Sequence, residues 1–137
     1  MRSIACLMIG NCFYYQTPPH GEHLFVVVAP SLEKAGWFVC VNITTFRPDS
    51  DTSCQLLQGE HQEFVAPVSV VVYAEARELP PPLISRSMRE QNLPKMSDPV
   101  LLRIQQSALR DDSRMKKKFQ RAIQEYLNPT AEGEVPF

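Results

Sequence analysis

Short apolar runs separated by turn-forming residues divide the first half of the chain. Five runs rich in Val, Phe and Tyr alternate with stretches that carry Pro, Gly, Asp and Ser. Runs of this length and spacing predict the strands of an antiparallel sheet or a small β-barrel. The predicted strands cover residues 11–16, 24–29, 37–42, 53–57 and 68–73.

Two of these strands contain three consecutive valines, at residues 26–28 and 70–72. A strand with one face in water alternates apolar and polar residues, whereas a strand covered on both faces reads as a continuous apolar run. We therefore expect both strands in the core of the protein.

The chain after the fifth predicted strand predicts helices. Residues 79–82 read Leu-Pro-Pro-Pro, and three residues without an amide hydrogen cannot continue a sheet. Ser97 is a suitable N-cap for a helix with Pro99 in its first turn and apolar residues at helical spacing to Ala108. A second helix is predicted after residues 111–113, and both helices are expected to lie across the sheet. The apolar stripe of the second helix consists of Met115, Phe119, Ala122, Ile123 and Tyr126.

Length and composition are those of one globular domain. The chain has 137 residues, of which 44% are hydrophobic and 21% are charged, and no apolar run is long enough to cross a bilayer. We predict one domain over residues 1–127 and a disordered tail over residues 128–137, which are polar, contain two prolines and show no periodicity. The apolar stretch at residues 4–9 is too short for the apolar region of a signal peptide. We predict a cytoplasmic protein without a membrane partner.

Net charge and cysteine content limit the kinds of partner and the kinds of cysteine chemistry that the sequence predicts. The net charge of -1 gives no overall field that attracts nucleic acid, so any such binding depends on a local basic patch. The four cysteines are irregularly spaced, without a Cys-x-x-Cys pair, which is typical of reduced thiols rather than a disulfide framework.

Histidine and hydroxyl side chains flank two neighbouring predicted strands. His20 and His23 precede the strand at residues 24–29, and Thr44 and Thr45 follow the strand at 37–42. In an antiparallel hairpin the start of the first strand lies beside the end of the second. We therefore expect these side chains at one rim of the sheet, although histidines in loops often have no role.

His61, in a predicted loop, is a third histidine that we expect near Thr44. An alternative interpretation is a zinc site formed by His20, His23, His61 and Cys54, since imidazole and thiolate are suitable zinc ligands. The His-x-x-His pair lies on a loop without the helical or knuckle context of known zinc motifs. We therefore favour a site without metal or cofactor.

Five short motifs follow one another along the chain. They are Gly-Asn-Cys-Phe at residues 10–13, Gly-Glu-His at 21–23, Asn-Ile-Thr at 42–44, Val-Ser-Val-Val at 68–71 followed by Glu-Ala-Arg at 75–77, and Leu-Leu-Arg-Ile-Gln-Gln-Ser-Ala-Leu at 101–109. Their order resembles that of the PemK/MazF-like toxins of bacterial toxin–antitoxin systems, which share their small barrel with the CcdB gyrase poisons. The resemblance covers roughly residues 10–109.

The resemblance implies a fold, an activity and partners. The expected fold is mainly β, a small SH3-like or CcdB-like antiparallel β-barrel packed by two C-terminal α-helices. The expected activity is metal-independent cleavage of single-stranded RNA by a homodimer, and the expected protein partner is a cognate antitoxin. Thr44 matches the threonine of the family's functional pair, whereas His23 stands in the position of its arginine and Leu24 replaces the following proline.

Cleavage by the neighbouring 2′-hydroxyl needs a proton acceptor, a cation for the phosphoryl oxygens and a proton donor for the leaving oxygen. An imidazole can serve as acceptor and as donor near neutral pH, so His23 can replace part of the arginine's function. The predicted catalytic residues are His23, Thr44, His20 and His61, and the predicted RNA-binding residues are Arg47, Arg77 and Thr45.

A binding module that acts through a protein partner, without catalysis, is the alternative. The absence of the family's arginine and the acidic loop residues favour it, because carboxylates repel RNA. These acidic residues are Asp49, Asp51, Glu60 and Glu63.

Overall fold

The computed structural model describes residues 8–17 and 21–129. This part of the chain contains five strands and three α-helices, with a short 3-10 helix, Gln58–Glu60, after the fourth strand. The strands are β1 Cys12–Gln16, β2 Glu22–Pro30, β3 Phe38–Thr45, β4 Gln55–Leu57 and β5 Val68–Leu79. The helices are α1 Pro81–Gln91, α2 Asp98–Ala108 and α3 Lys117–Leu127.

The strands form one antiparallel sheet in the order β1-β2-β3-β5-β4. The predicted antiparallel sheet with helices packed on it is confirmed. The sheet is open within the described residues, with β1 and β4 at its two edges. Its closure into a barrel therefore stays a prediction. No helix in residues 8–17 or 21–129 is long and apolar enough to cross a membrane.

The third and fifth strands are longer than their apolar runs. β3 reaches Thr45, which pairs with Ser69, and β5 continues from Tyr73 to Leu79. The added residues of β3 pair with the start of β5, and the end of β5 pairs with the start of β3, where Leu79 lies opposite Phe38. As predicted, the sheet ends where the proline run begins.

A large bulge in β5 bends the middle of the sheet. Cys40 pairs with Arg77 and Asn42 pairs with Val72, so two steps along β3 correspond to five steps along β5. Extra residues in one strand leave the ladder and change the direction of nearby side chains. Here the bulge leaves Glu75 exposed between strand segments that are otherwise largely buried.

The core lies on both faces of the central strands. The residues at 26–28 are fully buried, as the valine triplet predicts. One face packs against α2 and α3, and the Tyr73 hydroxyl donates a hydrogen bond to the Ile104 carbonyl oxygen over 2.7 Å. In the second triplet, Val72 is only half-buried, because it lines an open groove.

The other face packs against α1, a helix that the sequence did not predict. Its prolines lie in the first turn, where the backbone amides have no helical acceptor, and it ends at Asn92 in the left-handed conformation, with φ 52°. Ile84 of α1 is fully buried in a cluster with aromatic residues of the sheet. Those aromatic residues are Phe13, Phe25 and Phe38.

The two predicted helices are confirmed as α2 and α3, although Met115, which was assigned to the stripe of the second helix, lies before α3. Ser97 occupies the N-cap position of α2, although its side chain makes no capping hydrogen bond. Residues 128 and 129 follow α3 without helical structure. The rest of the predicted tail, residues 130–137, and the first seven residues of the predicted domain lie outside the described residues.

Candidate functional site

His23 and Thr44 lie side by side at one rim of the sheet. The β2–β3 ladder pairs Leu24 with Ile43, which places the preceding residue of β2 next to the following residue of β3. In the neighbouring ladders, His23 of β2 pairs with Tyr15 of β1, and Thr44 of β3 pairs with Val70 of β5. The hairpin geometry expected from the sequence thus brings this histidine and this threonine together.

Two grooves flank the rim, and His23 and Thr44 border both of them. We call the first the Glu75 groove; it has a volume of about 290 Å³ and is lined by His23, Asn42, Thr44, Arg47, Val72 and Glu75. We call the second the Glu63 groove; its other lining residues are Tyr14, Glu22, Leu24, Ile43, Thr45, Glu63, Phe64, Val65, Ala66 and Ser69.

The Glu75 groove exists because α1 covers only part of one sheet face. Alternate residues of a strand share a face, so His23 lies on the side of Phe25, and Thr44 lies on the side of Asn42. Phe25 is fully buried in the cluster that includes Ile84 of α1. Beyond Phe25 towards the rim, His23 and Thr44 occupy this face of β2 and β3, and Tyr15 of β1 lies beside His23.

Five chemically distinct polar groups line this groove: an imidazole, a hydroxyl, a guanidinium, a carboxylate and the side-chain amide of Asn42. Arg47 and Glu75 are exposed, whereas His23 and Thr44 are half-buried. A tight turn holds Arg47, since its backbone amide donates to Ser50 Oγ over 2.8 Å. The groove therefore combines groups that accept and donate protons with a cation for an anionic ligand.

The Asn42 side chain lies at the floor of the Glu75 groove and is 1% exposed. Its Nδ2 donates to Glu75 Oε1 over 3.3 Å. Its Oδ1 is buried and has no hydrogen-bond partner among the described residues.

The Glu63 groove differs in charge, because its ionisable lining groups besides His23 are Glu22, Glu63 and Tyr14. The Tyr14 hydroxyl donates to Glu63 Oε1 over 2.9 Å. Burial, and next the hydrogen bond to this carboxylate, raise the pKa of Tyr14 to about 12. The phenol stays protonated at neutral pH, and two carboxylates repel phosphate from this groove.

His61 does not join the site, contrary to the expected convergence on Thr44. Its Nδ1 accepts a hydrogen bond from the Glu63 amide over 3.1 Å, so the ring proton is on Nε2, which lies 2.9 Å from the Pro94 carbonyl oxygen. The ring is 8% exposed and packs against Phe64. Because backbone groups occupy both nitrogens, His61 has a structural role.

The other predicted site residues do not lie together in one groove. Arg47 lines the Glu75 groove and Thr45 lines the Glu63 groove. Arg77 pairs with Cys40, away from the rim, and its guanidinium lies 5.7 Å from the centre of the Phe25 ring. Arg77 lines neither of the two grooves. His20 lies outside the described residues.

The zinc alternative finds no support in this geometry. Within the described ranges, no three side chains of His, Cys, Asp or Glu are close enough to hold a metal ion. Cys54 is buried, and burial raises the pKa of its thiol. His61 is committed to backbone partners.

Asn42 and Glu75 are the site residues that sequence reasoning missed. Asn42 interrupts an apolar run, and an amide buried in a strand needs hydrogen-bond partners, so this position carried a usable signal. The signal at Glu75 was weaker, because the direction of its side chain depends on the bulge in β5.

Comparison with known proteins gives no match to a family model, to a curated protein or to a solved structure. The geometry of the site and the motif order are therefore the basis for a functional proposal.

Proposed function

We propose that the protein is a toxin-like endoribonuclease that cleaves single-stranded RNA without a metal ion. The observation that carries this proposal is the Glu75 groove, where His23, Thr44 and Arg47 line one open surface. A base, a hydroxyl donor and a cation are the groups that phosphoryl transfer from a neighbouring hydroxyl requires.

The proposed reaction is an intramolecular transesterification. His23 takes the proton of the 2′-hydroxyl, and the 2′-oxygen attacks the adjacent phosphorus. The bond from phosphorus to the 5′-oxygen breaks, and the His23 imidazolium returns the proton to that leaving oxygen. The products are a 2′,3′-cyclic phosphate and a 5′-hydroxyl end, with no change in oxidation state.

Arg47 and Thr44 would stabilise the charge that develops on the phosphoryl group. A guanidinium binds two phosphoryl oxygens at once, and the Ser50 hydrogen bond holds the Arg47 backbone beside the groove. The Thr44 hydroxyl adds a neutral donor. Arg47 thereby replaces the cation that the PemK/MazF-like toxins carry at the position of His23.

The proposal includes the remaining features of that family: an SH3-like or CcdB-like barrel, a homodimer, a cognate antitoxin and a cytoplasmic location. The motif order along residues 10–109 supports these features. A two-fold axis close to the rim would bring two grooves together and lengthen the surface available to RNA.

A non-catalytic binding module is the second candidate. The Glu63 groove favours it, because Glu22 and Glu63 form an acidic surface directly beside the rim. Such a surface suits a basic segment of a protein partner better than RNA.

The test is an RNA-cleavage assay with the purified full-length chain. We expect cleavage of a single-stranded oligonucleotide in the presence of EDTA, with a 2′,3′-cyclic phosphate on the product, and weaker cleavage of the same sequence in a duplex. A His23→Ala preparation, purified in parallel, controls for contaminating ribonuclease. Equal cleavage by both preparations, or no cleavage by wild type, would contradict the proposal and favour the binding module.

A further inference from the structure

Cationic side chains are concentrated around the start of α3. Residues 110–121 contain six of the 14 Lys and Arg residues of the chain and two carboxylates, a local net charge of +4 in a chain whose overall charge is -1. The six cationic residues are Arg110, Arg114, Lys116, Lys117, Lys118 and Arg121. A patch of this kind supplies the attraction for nucleic acid that the overall charge does not supply.

Part of this patch forms a groove between α3 and the turn that follows α2. We call it the basic groove; it has a volume of about 340 Å³. Its polar lining has three cations, one carboxylate and two amides. These residues are Arg110 and Asp111 of the turn and Lys117, Gln120, Arg121 and Gln124 of α3.

Packing fixes the positions of the α3 side chains. Lys117, Arg121 and Gln124 are exposed and recur at helical spacing, so they share the outer face of the helix. The opposite face of α3 packs in the core. Gln120 Nε2 donates a hydrogen bond to the Ala108 carbonyl oxygen over 2.8 Å. This bond holds α3 against the end of α2, so the two walls of the groove keep their separation.

The cations of the groove are available to a ligand. Within residues 8–17 and 21–129, neither Lys117 nor Arg121 forms an ion pair. Arg110 pairs with Asp112 over 3.3 Å, but both side chains are exposed, and such pairs are weak. Lys117 also lies in the first turn of α3, which has no acidic residue and no side-chain cap. A cation there opposes the helix dipole, so the fold does not account for this lysine, whereas an anionic ligand would.

We propose that the basic groove binds the phosphate backbone of single-stranded RNA, away from the cleavage position; this inference rests on the proposed cleavage of RNA. Lys117 and Arg121 lie about 6 Å apart along the helix axis, which is close to the separation of neighbouring phosphates in a nucleic-acid strand. Among the described residues that line the groove, none is aromatic, so no base can stack there. Contacts to phosphate carry no sequence information, so the groove would hold any RNA sequence.

The basic groove lies far from His23. Ala122 of α3 and Pro30 at the end of β2 line one apolar surface, so α3 packs at the end of β2 that is opposite to the rim. The distance along β2 from Pro30 to His23 is about 23 Å at the usual rise of a strand. An RNA that reaches both grooves must be longer than this, because α3 packs on the face opposite that of α1 and of the Glu75 groove. The basic groove should therefore favour long RNA over short fragments.

Binding can be separated from cleavage with a fluorescent 2′-O-methyl oligouridine of about 16 nucleotides, which lacks the attacking hydroxyl. Fluorescence anisotropy at several salt concentrations gives the slope of log affinity against log salt concentration. Arg121→Gln should decrease this slope by about 0.7, the contribution of one phosphate contact in a single strand. Lys118→Gln is the matched control, because it removes the same charge from the same helix, at a side chain that lies 3.6 Å from Glu33 and does not line the groove. Equal slopes in the two variants would overturn the proposal.

Lys117→Gln separates binding from stability. It should decrease the salt slope as Arg121→Gln does, but the midpoint of urea unfolding should not fall, since the lysine opposes the dipole of its own helix. A lower midpoint together with the RNA binding of wild type would assign Lys117 to the fold and contradict its proposed phosphate contact.

A polyglutamate peptide tests the other anionic occupant, an acidic protein segment. The peptide should bind more weakly than the oligonucleotide, because it gains no contact in the Glu75 groove. If it bound more tightly, and Arg121→Gln weakened that binding, the groove would be a site for an acidic protein segment and the RNA proposal would be wrong.

Cleavage of unmodified RNA distinguishes the two proposals. We expect Arg121→Gln to slow the cleavage of a long RNA and to leave unchanged the cleavage of a fragment too short to reach both grooves. Cleavage by wild type, with the salt slope of wild type in Arg121→Gln, would contradict the basic groove and support the ribonuclease. Weaker binding by Arg121→Gln, without cleavage by wild type, would support the basic groove and contradict the ribonuclease. Absence of both binding and cleavage would contradict both.

Discussion

The His61 imidazole joins two segments that are far apart in the chain: its Nε2 lies 2.9 Å from the Pro94 carbonyl oxygen, 33 residues away. The same ring accepts a hydrogen bond from the Glu63 amide through Nδ1. The loop that follows β4 is thereby attached to the segment before α2. This loop also carries Phe64, Val65 and Ala66, which line the Glu63 groove.

We predict that His61→Ala destabilises the protein without a specific effect on cleavage. The substitution removes the hydrogen bonds of the ring to the Pro94 oxygen and the Glu63 amide, and each hydrogen bond contributes roughly 0.5–1.5 kcal/mol to stability. Urea unfolding should show this loss, while cleavage of RNA under native conditions should stay within a few-fold of wild type. If folded His61→Ala cleaved RNA more than roughly a hundred-fold more slowly than wild type, His61 would have a catalytic role.

His23→Ala should show the opposite behaviour. It removes the proposed proton acceptor, which typically costs roughly a hundred- to ten-thousand-fold in rate, whereas the half-buried ring at the rim should contribute little to stability. Single-turnover cleavage and urea unfolding of the same preparation would measure both quantities. Wild-type cleavage by His23→Ala would exclude the proposed base.

Thr44 offers a matched pair of substitutions. Thr44→Val has nearly the shape of threonine but lacks the donor, and loss of one preorganised donor costs about 100- to 1,000-fold in rate. Thr44→Ser retains the hydroxyl and should retain most of the cleavage activity. Cleavage rates of the two variants that do not differ would show that the hydroxyl has no part in the reaction.

Arg47→Ala should weaken RNA binding through the loss of one phosphate contact. For single strands, each neutralised phosphate contributes roughly 0.7 to the slope of log affinity against log salt concentration, so this slope should decrease by about that amount. Arg47→Lys keeps the charge and should keep the slope, but it loses bidentate binding of the phosphoryl oxygens and should cleave more slowly. If Arg47→Ala showed the same dependence of affinity on salt concentration as wild type, Arg47 would not contact a phosphate.

The bulge in β2 gives a prediction about stability. Val27 pairs with Cys40 and Ala29 pairs with Val39, so Val28 lies between them without a ladder partner on β3. Gln105 of α2 is buried, and its Nε2 donates to the Val28 carbonyl oxygen over 2.9 Å. The helix thus supplies a hydrogen bond that the sheet cannot make.

Gln105→Leu should therefore lower the free energy of unfolding by roughly 1–3 kcal/mol, because the Val28 oxygen would remain buried without this donor. The neighbouring Gln106 is exposed, so Gln106→Leu on the same helix should change the stability by less than about 0.5 kcal/mol. Urea unfolding of both variants tests this difference. Equal stabilities would show that the bulge does not depend on the glutamine.

The sequence predicted the parts of this fold that depend on local pattern. The valine triplet at residues 26–28 predicted a strand buried on both faces, and the hairpin argument placed His23 beside Thr44. Helix α1 was missed because its prolines were interpreted only as the end of a sheet, although proline is equally suited to a first helical turn. The position of His61 depends on its contact with Pro94, which is 33 residues away in the chain and so cannot be predicted from local sequence.

The bulge in β5 was beyond sequence reasoning for a similar reason. Which residues leave the ladder depends on how β5 pairs with β3, and that pairing is decided by packing on both faces of the sheet. Glu75 therefore reaches the groove, whereas Arg77, which was predicted to bind RNA, lies over Phe25.

High pH should destabilise the protein through groups that are buried in their neutral forms. Burial raises the pKa of the Cys12 thiol from its ordinary value of 9.0 to about 12, and burial with the Glu63 hydrogen bond raises that of Tyr14 from 10.0 to about 12. Above pH 9 the unfolded chain releases protons that the folded chain retains. The free energy of unfolding should therefore fall progressively from about pH 9 towards pH 12.

Urea unfolding at about pH 7.5 and at about pH 10.5 would measure this loss, with Cys12→Ala as the control. The variant removes one of the groups with a raised pKa, so its stability should fall less steeply with pH than that of wild type, even if its stability at neutral pH is lower. The comparison of slopes rather than of absolute values separates the ionisation from the cavity that the substitution creates. Identical slopes in wild type and Cys12→Ala would show that the thiol ionises as readily in the folded protein as in the unfolded chain.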